Sequence, residues 1–152
     1  MKIMDFLCQE AVVLDVKAKD KESAICEMVD VLKRLKKIKD APAVMDVLMQ
    51  REKLGSTGIG QGVAIPHAKV DLVGKQVGVL GISQGGVDFK SLDGAPVHLI
   101  FMLVCPAAAA SGDHLLAMAS VSRVFKDKPF RQSLLKAVTA QEVIALIEKL
   151  DS

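Results

Sequence analysis

The chain has 152 residues, 51% apolar and 25% charged, so it can bury a core and is not a disordered chain. Only 3% are aromatic (five Phe, no Trp, no Tyr), which argues against the stacking platforms that bind single-stranded nucleic acid or sugars. A net charge of +2, from 20 Lys and Arg against 18 Asp and Glu, is too balanced for a dedicated nucleic-acid footprint.

The length suits one domain over residues 1–152. Cys8, Cys26 and Cys105 are odd in number and form no C-x-x-C pair, so buried, reduced thiols are expected rather than a disulfide framework or a zinc site. Met1-Lys2-Ile3-Met4-Asp5 lacks the apolar core of a signal peptide. The longest apolar run, Val97 to Ala110, is broken by His98 and Pro106 and falls short of the ~20 residues that span a bilayer. These features read as a cytoplasmic protein without membrane insertion.

Asp20 is placed to cap a helix to about Lys37, with Ile25, Met28, Val29, Leu32 and Leu35 on one face. Lys33, Arg34, Lys36, Lys37 and Lys39 form a solvated basic end. Pro42 opens a second helix to about Lys53. Leu54 to Gly62 holds four glycines in nine residues and is expected to be a loop. Short strands follow at Val63-Ala64-Ile65, Gln76 to Ile82 and Val97 to Val104, the last apolar enough to be central, with turns at Gly85-Gly86 and Asp93-Gly94. Asp113 or Ser111 caps a helix through Phe125, Pro129 opens another, and Thr139-Ala140-Gln141-Glu142 forms a capping box for the last. Helices, strands and again helices predict an α/β domain of three layers, α/β/α, with a central mixed β-sheet.

The segment Gly55 to His67 carries the most chemistry. No Lys-Ser or Lys-Thr follows the glycines, so it is not a Walker A loop, and Val63 together with the strand after it breaks the dinucleotide pattern. What remains is a glycine loop with two hydroxyls, Ser56 and Thr57, leading to Pro66-His67 at the end of a strand. Backbone amides of such a loop can cradle an anion. A neutral imidazole near pH 7 can attack phosphorus, and Arg51 can supply a planar fork of positive charge. A glycine-rich tight turn followed by a strand-end histidine is the plain alternative.

The run Arg51-Glu52-Lys53-Leu54-Gly55-Ser56-Thr57-Gly58-Ile59-Gly60-Gln61-Gly62-Val63-Ala64-Ile65-Pro66-His67 closely resembles the signature of the type 2 IIA domains of the phosphoenolpyruvate-dependent phosphotransferase system, the fructose/mannitol and nitrogen-regulatory IIA proteins. Asp93-Gly94-Ala95-Pro96-Val97, Pro106 and His114-Leu115 extend the likeness along essentially the whole chain. The resemblance implies that His67 is the phosphorylated nucleophile, that His114 is the second histidine that stabilises the phosphoryl group, and that Arg51 holds the phosphate. Ser56, Thr57 and Gly58 fall at loop positions that bind it. Gln61 stands where Asn or another polar residue is usual, and Ala68 where Gly commonly follows the histidine. A histidine phosphocarrier protein is the implied donor, and a IIB domain or a regulatory protein the implied target. No metal or cofactor is required. Ile59, Val63 and Leu115 are candidates for an apolar docking rim, or for ordinary core.

A chain ending at Ser152 with this signature looks most like the nitrogen-regulatory branch, with a sugar-specific component as the alternative. Two other readings are weaker. Gly81-Ile82-Ser83-Gln84-Gly85 matches a hydrolase nucleophile elbow, but no helical period follows Ser83. His67, His98 and His114, spaced by 31 and 16 residues, contain no local chelating pair. His98 reads as a strand histidine. A binding module whose His67 is never phosphorylated is the third possibility.

Overall fold

The computed structural model describes residues 1–71, 73–108 and 111–151, the side chain of Ser111 excepted. Two short 3-10 turns, Ile3–Asp5 and Gln9–Ala11, lead into β1 (Val12–Val13). Then come α1 (Lys21–Arg34), α2 (Ala41–Lys53), β2 (Gly58–Gly60), β3 (Val63–Ala64), β4 (His67–Val70), β5 (Val77–Val87), β6 (Val97–Pro106), α3 (Ser111–Phe125), α4 (Lys128–Lys136) and α5 (Ala140–Leu150). No helix among the described residues is long and apolar enough to cross a membrane.

The helix starts follow their caps. Asp20, Asp40, Asp127 and Thr139 each accept a backbone N–H from the first turn of the helix they precede. In the Thr139 box, Glu142 reaches back to the N–H of Val138 rather than to that of Thr139. Neither expected residue precedes α3 as a cap, since Ser111 is already helical and Asp113 sits in the first turn. α1 stops at Arg34, short of Lys37, because Lys36 turns left-handed at φ 58°. Lys37 N–H then donates to Leu32 and Lys36 N–H to Lys33, a Schellman closure. No glycine marks this end, so the sequence carries no stop signal there.

The sheet is mixed, as its residues lead one to expect, with order β1-β5-β6-β3-β2 and β4 also on β6. β6 is its central strand, antiparallel to β5 and parallel to β3 and β4. The glycine segment is not a plain loop: β2 and β3 pair antiparallel across it, with Gly60, Gln61 and Gly62 at φ 88°, 58° and 80°. Gln61 thus adopts a left-handed conformation that Asn-like polar residues tolerate best. Gly85-Gly86 does not end a strand either. β5 runs through it to Val87, with a register shift between Ile82 and Val87. Asp93-Gly94 is the expected turn, closed by Gly94 N–H on Ser91 at 2.9 Å.

Alternation along the strands assigns the two faces. Leu80 and Phe101 are cross-strand partners, and Phe101 meets Phe125 of α3 edge-on at 5.9 Å, which in turn meets Phe130 of α4 at 5.3 Å. Gly81, on the opposite face, lies against Met28 of α1. Helices α1 and α2 therefore cover one face, and α3 to α5 the other.

β3 and β4 form one interrupted line along β6. Val63 pairs with Leu99, Ala64 with Ile100 and His67 with Leu103, so the register is unchanged across Ile65-Pro66. Ile65 N–H turns away to Thr57 at 3.0 Å, and Pro66 has no N–H to offer, while its carbonyl receives Leu103 N–H at 2.9 Å. His67 consequently begins a strand rather than ending one. Ala68 is buried in β4 opposite Val104, and it is not among the residues with positive φ, so alanine costs nothing there.

The sheet tolerates no side chain at Gly78. A Cβ there would stand 2.7 Å from the Phe101 ring, which is locked between Phe6 and Phe125. Gly78→Ala is expected to destabilise the fold by about 1–3 kcal/mol, read from urea denaturation midpoints at unchanged slope.

Candidate functional site

His67 and His114 come from elements distant in sequence, and their ring centroids stand 5.5 Å apart at an interplanar angle of 45°. His67 shares the sheet face of Leu103 and Phe101, on which α3 packs. On α3, His114 lies on the inward stripe with Ala117 and Val121, at helical spacing, and is itself buried.

Each imidazole is held through Nδ1. The Nδ1 of His67 is 2.8 Å from the Ile65 carbonyl. A carbonyl only accepts, so Nδ1 carries the proton and the neutral ring keeps its lone pair on Nε2. The Nδ1 of His114 is 2.9 Å from Cys105 Sγ, and that thiol lies 2.6 Å from Gln76 Oε1. Burial, and then the neighbouring His67 and Lys69, push the His114 pKa below its ordinary value of 6.5. Burial raises the Cys105 thiol to about 11, against the pull of Lys69, so the sulfur stays protonated.

Lys69 and Gln76 carry no site signal in the sequence, and Cys105 reads there only as a buried thiol. Lys69 follows His67 by two positions and is cross-strand from Cys105, so it shares the histidine face. Recognising β4 as a strand would have found it. Nothing in the sequence marks Gln76.

The remaining expected residues make contacts of their own within and beside the glycine segment. Arg51, in the last turn of α2, donates Nη1 to the Gly55 carbonyl at 3.0 Å and so clasps the loop. Ser56 Oγ donates to the Phe89 carbonyl and accepts Gly58 N–H. Thr57 is buried, its N–H on Glu52 Oε1, and its hydroxyl has no protein partner. A Cβ on Gly58 would fall 2.1 Å from Ser91 Oγ, so only glycine packs there. Ile59 and Leu115 are exposed, as a rim requires, and Leu116 joins them; Val63 is core.

The expectation of buried cysteines needs correction. Of the cysteines, Cys105 alone is fully buried; Cys8 is half-buried and Cys26 exposed, because Cys26 falls on the outer side of α1. Ser83 is no nucleophile elbow. Its side chain is fully buried within β5, its Oγ accepts Gly86 N–H, and strand rather than helix follows. His98 bonds through Nδ1 to the Ser83 carbonyl. It lies five residues before Leu103 on β6, roughly 16 Å along the strand from the histidine pair. Among the described residues no three His, Cys, Asp or Glu side chains converge as a metal site.

Comparison with known proteins gives the family and the fold. Residues 5–150 match the family described as "Phosphoenolpyruvate-dependent sugar phosphotransferase system, EIIA 2". A fructose-specific EIIABC component of Bacillus subtilis is 38% identical over 151 residues, which is 99% of this chain but 24% of that protein, so the chain spans about a quarter of it. A nitrogen regulatory protein of Bradyrhizobium diazoefficiens is 36% identical over 147 residues, 97% of this chain and 95% of that protein. The crystal structure of nitrogen regulatory protein IIA-Ntr from Neisseria meningitidis superposes with a TM-score of 0.88 at 36% identity, covering 95% of this chain and 98% of that one. The mannitol IIA protein of Escherichia coli shares the fold at a TM-score of 0.79 and 24% identity, over 92% of this chain and 97% of that chain. With a match along nearly its whole length and likeness to both regulatory and sugar-specific relatives, the chain belongs to the EIIA type 2 family of the phosphoenolpyruvate-dependent phosphotransferase system.

Proposed function

We propose that this IIA domain is a phosphoryl carrier whose reacting atom is Nε2 of His67. The observation that carries the reading is the Nδ1 bond to the Ile65 carbonyl, which leaves the lone pair on Nε2. In the transfer, that lone pair forms a bond to phosphorus as the bond from the donor nitrogen breaks, and the donor keeps its electron pair. The donor is a phosphohistidine on a small histidine phosphocarrier protein. The acceptor is a IIB domain or a regulatory target protein, in the cytoplasm. No metal and no cofactor takes part.

Positive charge must meet the incoming group. Lys69 supplies it from the same strand face, and Arg51 from the mouth of the loop. His114 takes a phosphoryl oxygen once protonated. Gly58, Ser56 and Thr57 serve phosphate binding indirectly, by fixing the loop that Arg51 clasps, since both hydroxyls are turned inward. Ile59, Leu115 and Leu116 form the rim on which carrier and acceptor dock in turn. The nitrogen-regulatory role is favoured by the Bradyrhizobium and Neisseria likenesses, which run nearly end to end. A sugar-specific role is the second reading, carried by the 38% identity to the Bacillus fructose component. Rapid transfer from the phosphorylated protein to a purified fructose IIB domain would decide for it.

Incubation with phosphoenolpyruvate, the general transfer enzyme and its phosphocarrier is expected to give acid-labile, base-stable phosphate on the protein. His67→Ala should abolish it; phosphate persisting in that variant overturns the assignment. His114→Ala should fold normally and slow transfer on the order of 10²-fold, measured by rapid quench. Unchanged kinetics would make His114 structural.

The lowered pKa of His114 also fixes a sign for stability. The unfolded chain binds this proton more readily than the native one, so the native state gains nothing above about pH 6.5 and loses stability as the pH falls through that value. Urea midpoints should drop between pH 7.5 and 5.5, and drop less in His114→Asn.

A further inference from the structure

The geometry points to Cys105 and Gln76 as positioning residues that fix the proton of neutral His114 on Nδ1 and leave its Nε2 bare, to be protonated when His67 acquires its phosphoryl group. The last clause rests on the function proposed above; the first does not.

The argument is a count of protons along one chain of contacts. Gln76 sets its Nε2 against Met1 Sδ at 3.2 Å, so Oε1 is the atom that faces the thiol, 2.6 Å away. An amide oxygen only accepts, so the single thiol proton points to it. Sulfur then offers only lone pairs to His114 Nδ1 at 2.9 Å, and the imidazole must donate. Burial keeps the thiol from ionising, so sulfur supplies no second arrangement at neutral pH. An imidazole in water favours the proton on Nε2, and this contact reverses that preference.

The consequence concerns charge. Neutral His114 cannot donate to a phosphoryl oxygen from a bare Nε2. His67 and Lys69 of β4 and Cys105 of β6 bear on it, while Asp113 lies on its own helix and Asp5 in the 3-10 turn packed beside α3. The phosphoryl group adds a charge of about −2 beside the ring. His114 then draws one proton from solvent onto Nε2, becomes imidazolium and donates to the new anion, while Nδ1 stays on Cys105. Release of the phosphoryl group returns that proton.

The test is long-range nitrogen–proton NMR of histidine-labelled protein at pH 8. In the unphosphorylated wild type, His114 should show a protonated Nδ1 and a bare Nε2. Gln76→Leu, at a half-buried position near the start of β5, frees the thiol proton to turn toward Nδ1 and should move the histidine proton to Nε2. Cys105→Ser restores a donor and acceptor of the same kind and should keep the wild-type tautomer. A wild-type His114 with its proton on Nε2, or a Gln76→Leu tautomer identical to wild type, overturns the positioning role whether or not His67 is phosphorylated. In the phosphorylated wild type the His114 titration midpoint should rise by about 1 unit or more. An unmoved midpoint overturns the coupling. Loss of His67 phosphorylation itself would appear separately, in the phosphate assay.

Discussion

One hydrogen bond organises the site: His67 Nδ1 on the carbonyl of Ile65, two residues earlier. That carbonyl faces away from β6, whose Leu99 and Leu103 N–H groups go instead to the carbonyls of Gly62 and Pro66. Proline withholds a donor, and the Ile65 N–H is diverted to Thr57. Backbone and imidazole then lock one another. The ring cannot rotate without leaving a carbonyl unpaired, and its Nε2 keeps a free lone pair.

The break comes without a slip. Register on β6 is the same before and after Pro66, so His67 stays on the face that α3 covers. A shift of one residue would turn it toward α1 and α2 and away from His114. The aromatic chain from Phe101 through Phe125 to Phe130 pins α3 and α4 to that same face. Packing far from the histidines thereby sets the distance between them.

A second constraint holds the glycine segment. Glu52 is buried at the end of α2 and accepts both Lys21 Nζ and Thr57 N–H at 3.2 Å. Such a pair matters more for the conformation it selects than for its strength, because desolvation offsets much of the attraction. It ties α1, α2 and the loop at one point. Arg51, one position earlier on the helix, faces out and holds the other side of the loop at Gly55.

Much of this was legible in the chain itself. Caps at Asp20 and Thr139, the apolar run of β6 and the signature from Arg51 to His67 are local patterns, and local patterns survive folding. They determined the α/β class, the family and the candidate nucleophile. The misjudged parts depend on partners remote in sequence. Gly85-Gly86 reads as a turn until β6 pairs across it, and Val63 reads equally as rim or core until the sheet buries it. The likeness already grouped His114 with His67 and left His98 to its strand; tertiary structure alone decided that Gln76, Lys69 and Cys105 gather at the pair. Side-chain type is written in sequence, but which nitrogen of an imidazole holds the proton is set by the acceptor that folding puts against the other one.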